Sequence, residues 1–284
     1  MRGISAVLCA ALLLCAGMAF AEPVKHGQCY TAEQLTVLDK QDVAGGKGTL
    51  HGEFAFARDS ALEDDAIKEI GWMTLRLGEF IGTHTHIDNE DAYLIVSGKG
   101  VFTDGEGNAW VVGPGDMTIA RPGQSHGLAN LYKEDLVFLD IIAKNAGANL
   151  EAIVKNPTPQ CFPLNTLFDK NVEKAGGGVG ILYGKFAFRR EQATEDQAIK
   201  EIGLMTLKKG DGIGVHKHAN NEDTYIIISG RGVFTDNDGK ETVVGPKAVT
   251  IAVAGEAHGL RNEEDEDLVF IDLIAQNHAL KTEK

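Results

Sequence analysis

Two short segments carry the residues best suited to chemistry. "GTHTHIDNEDAYLIVSGKG" begins at Gly82, and "GVHKHANNEDTYIIISGRG" begins at Gly214, 132 residues later. The first holds His84, His86, Glu90 and Asp91; the second holds His216, His218, Glu222 and Asp223. In an extended chain residues i and i+2 point to the same face, so each His-x-His pair aims two imidazoles at one point. A third histidine follows 40 residues later in each case, His126 and His258. Neutral imidazoles together with a carboxylate form a donor set for a divalent metal that keeps coordination positions open. A lone His-x-His is an ordinary surface feature. Here six of the nine histidines fall at equivalent positions, and they persist while Thr85, Ile87 and Gln124 have changed. His26, His51 and His278 have no histidine counterpart at this offset and are read as structural or surface residues.

The elements that position these side chains repeat with them. "AIKEIGWMTLRLG" at 66–78 recurs as "AIKEIGLMTLKKG" at 198–210, identical at 10 of 13 positions, and "DLVFLDIIA" at 135–143 recurs as "DLVFIDLIA" at 267–275. The offset is 132 throughout, which marks a duplicated domain rather than a solenoid. The junction falls in "NAGANLEAIVKNPTPQ", with one helical turn around "NLEAIV". The expected organisation is 1–21 as an export signal, 22–150 as the first domain and 151–284 as the second. Short β-branched runs stopped by glycine ("AYLIVSG", "TYIIISG") read as strands. "GVFTDGEGNAWVV" and "GVFTDNDGKETVV" read as hairpins. The fold class expected is all-β, with helix confined to the linker and the tail.

The signal reading rests on Arg2, the apolar run "AVLCAALLLCAGMAF" and the small-x-small site Ala19-Phe20-Ala21. It predicts an exported protein, periplasmic or secreted, cleaved after Ala21 and with no membrane span after cleavage. Loss of Arg2 takes the formal charge from -14 to -15. So acidic a chain is a poor partner for nucleic acid or an anionic membrane. Other charged features read blandly. The acidic run in "NEEDEDLVF" is a solvated loop, and Arg76 and Lys208 are surface residues able to steer an anion.

The spacing resembles the cupin superfamily. Its first motif is matched by Gly78, His84, His86, the Glu90–Asp91 pair and Gly98, and again by Gly210, His216, His218, Glu222–Asp223 and Gly230. Its second is matched by Gly115, Gly123, His126 and Asn130, and again by Gly255, His258 and Asn262. Arg121 and Val253 stand where proline is usual, and Lys247 replaces a glycine. The resemblance covers about 45–143 and 177–275. It implies two tandem β-jelly-roll barrels, a bicupin of the oxalate-decarboxylase-like, cupin type-2 kind, with a metal in each mouth. Mn or Fe is the metal it favours, with Zn and Ni also open. The carboxylate ligand stays open between Glu90 and Asp91, and between Glu222 and Asp223. Spacing to the following glycine selects the aspartates; residue type and reach select the glutamates.

The resemblance implies a decarboxylase- or dioxygenase-like enzyme acting on a small molecule such as an organic acid. Glu90, Asp91, Glu222, Asp223 and Arg121 are its candidate catalytic groups. Oxalate decarboxylases carry an arginine three residues before the first motif histidine, where this chain has Ile81 and Ile213. A non-catalytic module for a small ligand or metal is the second reading, and a structural or storage role the third; two complete histidine sets argue against the third. Tyr93 and Tyr225 share a face with Asp91 and Asp223 and serve as ligand contacts or wall residues. Arg121, on the approach to the metal, would favour an anionic substrate at the first site only. A homo-oligomer is compatible with the sequence. Cys29 and Cys161, also 132 apart, would pair as an intrachain disulfide if they meet across a local two-fold; two separate buried thiols, or a bridge between chains, are the alternatives.

Overall fold

The computed structural model describes residues 27–278. The segment 1–26, which contains the expected signal, and the tail 279–284 lie outside the described residues. The described residues build four antiparallel sheets. In the first half, Met117–Ala120, Glu90–Ser97, Leu136–Ala143, Ile67–Leu75, Thr49–Phe56 and Thr36–Gln41 lie side by side in that order. A four-stranded sheet runs Phe80–Thr85, Ser125–Ala129, Gly100–Asp104, Ala109–Val112. Between them sits a core of Phe54, Met73, Ile95, Phe102, Leu128 and Phe138. The second half repeats this plan, as two jelly-roll barrels require.

The period-two rule explains why these strands read as they do. In Leu136–Ala143, Leu136 and Phe138 face the barrel interior, while Leu139, Ile141 and Ala143 face the other half. There they share one apolar cluster with Ile199, Leu273 and Ala275. Burial on both faces makes "LVFLDIIA" a nearly continuous apolar run. Each such Leu or Ile contributes about 1.5–3 kcal/mol relative to exposure. The expected hairpins form, and the expected helical turn is Leu150–Lys155, capped by the Asn149 side chain accepting from Ala152 N at 3.2 Å.

Short strands cross between the halves. Cys29–Tyr30 pairs with the second half, Cys29 opposite Thr250, and Cys161–Phe162 pairs with the first half, Cys161 opposite Thr118. This exchange corrects the expected disulfide: both cysteines are free thiols. Cys29 packs on the core of the second barrel and Cys161 on that of the first, so equivalence by duplication carries them apart. Burial raises each thiol from 9.0 to about 11.

Lys247, in place of the motif glycine, keeps the left-handed backbone of its counterpart, φ 72° against 87° at Gly115. Its ammonium forms an ion pair with Glu53 of the first half.

Candidate metal centre

The strand Phe80–Thr85 carries His84, and His86 follows it directly. The strand Glu90–Ser97 carries Asp91, and Ser125–Ala129 carries His126. One large-sheet strand and two small-sheet strands therefore bring four side chains to one end of the barrel. The ligand atoms of His84, His86, Asp91 and His126 lie within 4.8 Å of one another, and so do those of His216, His218, Asp223 and His258. His86 Nε2 is 3.0 Å from His126 Nε2, and Asp91 Oδ2 is 3.3 Å from His126 Nε2. The second site repeats this with 3.1 Å and 3.3 Å.

The surrounding hydrogen bonds fix the rings. His84 Nδ1 donates to Gly82 O at 2.9 Å and His86 Nδ1 to Asn89 Oδ1 at 2.7 Å. His216 and His218 do the same toward Gly214 O and Asn221 Oδ1. With the proton held on Nδ1, each Nε2 turns a lone pair inward. Burial lowers His218 to about 4 and His258 to about 3, so both rings are neutral at pH 7; burial likewise lowers His126. Inward lone pairs beside a buried carboxylate whose Oδ2 faces the same point fit a divalent cation.

Side-chain alternation decides between the two acids. Asp91, Tyr93 and Ile95 face the barrel interior, while Glu90, Ala92 and Leu94 face the other half. Glu90 accepts from Ala198 N at 2.8 Å and Ile199 N at 3.0 Å; Glu222 accepts from Ala66 N at 2.6 Å and Ile67 N at 2.8 Å. The glutamates, open as metal ligands and catalytic groups in the sequence, are thus placed between the halves. Burial raises Glu222 to about 7 against its two backbone donors.

Arg121 is likewise placed away from the cluster, correcting its expected position on the approach to the metal. It is buried, with Nε 3.6 Å from Glu90 Oε2, NH1 donating to Thr158 Oγ1 at 3.0 Å and its guanidinium over the Phe188 ring. Of the other sequence candidates, Arg76 is exposed and Lys208 lies over the Tyr183 ring. Tyr93 and Tyr225 stack on His126 and His258 with centroids 4.6 and 4.4 Å apart, so each is both a wall residue and a support for a ligand ring.

Each cluster opens into a cavity, about 330 Å³ in the first half and about 400 Å³ in the second. Sequence reasoning missed two of its features. Asp140 and Asp272 stand in the cavities beside Asp91 and Asp223, and burial, together with those neighbouring charges, raises both well above the usual carboxylate range. A lone acid in the apolar run "LVFLDIIA" was their signal. Arg58 lines the first cavity and Arg190 the second, 132 residues apart; so are their partners Glu69 and Glu201.

Two barrels, each with a His₃Asp cluster at its mouth, define a bicupin. The chain belongs to the cupin family: a family model of the cupin domain matches residues 71–142 and 203–274. A curated relative, the oxalate-binding protein of Thermotoga maritima, is 37% identical over 70 residues, 25% of this chain; the match spans 57% of that protein's length. Lactobacillus farciminis oxalate decarboxylase, solved as a formate complex, shares the fold with a TM-score of 0.62 at 15% identity, over 90% of this chain and 88% of that one. A Bacillus subtilis oxalate decarboxylase structure from work on its Mn(II) centres gives 0.60 at 18% identity, over 90% and 79%.

Proposed function

We propose that this protein is an exported, metal-dependent bicupin enzyme acting on a small organic acid, with one Mn or Fe ion in each half. The observation that carries this reading is the convergence of three histidines and one aspartate, twice, at the mouth of a cavity that also holds an arginine. A divalent ion held there would supply Lewis-acid stabilisation of developing negative charge and, as Mn or Fe, a one-electron couple. The chain's own residues do the rest. Gly82 and Asn89, with Gly214 and Asn221, fix the rings; Asp91 and Asp223 offset the cation's charge; Ile81 and Ile142 in the first cavity, and Ile213 and Ile274 in the second, limit water. Ile81 and Ile213 replace the arginine that oxalate decarboxylases carry, so the proposed acid is not restricted to oxalate.

A non-catalytic binding module is the second reading, favoured by the relative named as an oxalate-binding protein. Protein loaded with Mn(II) or Fe(II) is to be incubated with oxalate, malonate and glyoxylate, in air and under argon. Consumption of one acid, abolished by Asp91→Asn with Asp223→Asn, supports the enzyme. Saturable binding without consumption supports the module. Export is tested by sequencing the N-terminus of the processed chain, which the proposal places at Glu22.

A further inference from the structure

Each cavity has a second feature besides the metal cluster. Glu69 is buried in the first half, its carboxylate facing Arg58 Nε at 3.4 Å and Lys40 Nζ at 3.5 Å. Glu201 is buried in the second half, facing Arg189 Nε at 3.2 Å and Arg190 Nε at 3.6 Å. Arg58 and Arg190 are duplicates, but the second cation is not. Lys40 corresponds to Val172, and Arg189 corresponds to Ala57. The halves have therefore reached two cations around one buried glutamate by different substitutions. In the first half one cation neutralises the glutamate and the other remains as net positive charge; in the second, Arg189 NH1 also lies 3.7 Å from the exposed Glu191, so two cations face one buried and one exposed carboxylate.

The arginine geometry suits Arg58 and Arg190 to a ligand. Arg58 and Arg190 engage the glutamate through Nε, and their side chains are 54% and 52% exposed. Among the described residues their terminal nitrogens make no hydrogen bond to protein. A guanidinium whose Nε faces the glutamate leaves its terminal N–H groups to a second anion, and their planar fork matches a carboxylate. In both halves this fork borders the same cavity as the His₃Asp cluster.

We propose that Arg58 and Arg190 bind the carboxylate of a small anionic substrate and determine the specificity of the two sites, Lys40 and Arg189 serving as the counter-charges that release them from Glu69 and Glu201. The ligand class is a small dicarboxylate or oxo-acid, one end at the metal and the other on the guanidinium. The inference rests on the metal reading above and supplies it with an anion site that Ile81 and Ile213 do not.

The test is calorimetric titration of Mn(II)-loaded full-length protein with oxalate, malonate and the neutral diamide oxamide, with metal content measured on the same samples. The variant is Arg58→Gln with Arg190→Gln, and its folding control is Arg58→Lys with Arg190→Lys, which keeps a cation beside each glutamate. Expected is a loss of at least tenfold in affinity for the tighter of the two acids in the Gln variant, a smaller loss in the Lys variant, less than twofold change for any oxamide binding, and unchanged metal. Unchanged acid affinity in the Gln variant with metal retained overturns the arginine assignment. So does failure of metal-loaded wild-type protein to bind either acid. An equal loss for oxamide and for the acids overturns recognition of charge. If the Gln variant fails to fold, the Lys variant decides: affinity equal to wild type overturns the forked contact. Wild-type protein that takes up no metal overturns the metal reading instead.

Discussion

Glu90 and Glu222 clasp the two halves reciprocally, each carboxylate accepting two backbone N–H groups from the other half. The clasp is unequal. Arg121 stands 3.6 Å from Glu90, whereas the residue equivalent to Arg121 is Val253, and burial raises Glu222 to about 7. Adjacent residues of one strand therefore serve separate ends: Glu90 joins the halves, and Asp91 joins the histidine cluster.

That division predicts opposite outcomes for neighbouring substitutions. Asp91→Ala removes the metal of the first site and leaves folding largely intact. Glu90→Ala leaves metal content unchanged but costs about 3–5 kcal/mol, because Arg121 and two backbone donors lose their buried partner. Metal analysis and urea unfolding of the same two variants check this.

Arg121→Val gives the first half the chemistry of the second. Glu222, which has Val253 in place of an arginine, shows what such a clasp does without that cation: burial raises its carboxyl to about 7. A raised acid loses stability as pH rises through that pKa, because the native state then holds more protons than the unfolded chain. The loss relative to wild type is therefore larger at pH 8 than at pH 5, up to about 3 kcal/mol. Urea unfolding at the two pH values measures it.

Much of this was legible in the sequence. The His-x-His pairs and the third histidines identified the clusters because period-two geometry and the constant 132-residue offset leave little freedom. The carboxylate was not settled, since Glu90 and Asp91 begin the same strand; the docking of the halves decides it, burying the Glu90 face against Ala198 and Ile199. Arg121 was misplaced for the same reason. Arg58 and Arg190 carried a signal, recurring with Glu69 and Glu201 at the common offset, but their convergence on a cavity depends on how neighbouring strands pair.

The cysteines also equal each other by sequence and separate by strand exchange. Peptide mapping of unreduced protein should show Cys29 and Cys161 both as free thiols. With folded pKa values near 11, alkylation by iodoacetamide at pH 8 should be about 100-fold slower than for the unfolded chain, from the thiolate fraction alone. Reactivity should climb through pH 11 rather than pH 9.

Lys247 holds a left-handed backbone that costs about 1 kcal/mol for a non-glycine residue, offset by an ion pair with Glu53 worth up to about 1 kcal/mol. Lys247→Gly should therefore shift stability by less than about 1 kcal/mol, while the β-branched Lys247→Val should destabilise by more than that. Thermal unfolding of the pair measures the difference.

The central claim is that each half holds one divalent ion through three histidines and one aspartate. Metal content of the protein, dialysed after Mn(II) or Fe(II) loading and measured by inductively coupled plasma mass spectrometry, tests it most directly. The account predicts close to two ions per chain, one after His84→Ala with His86→Ala, and none when His216→Ala and His218→Ala are added. A wild-type chain that retains no metal, or a first double substitution that leaves the content at two, would contradict it.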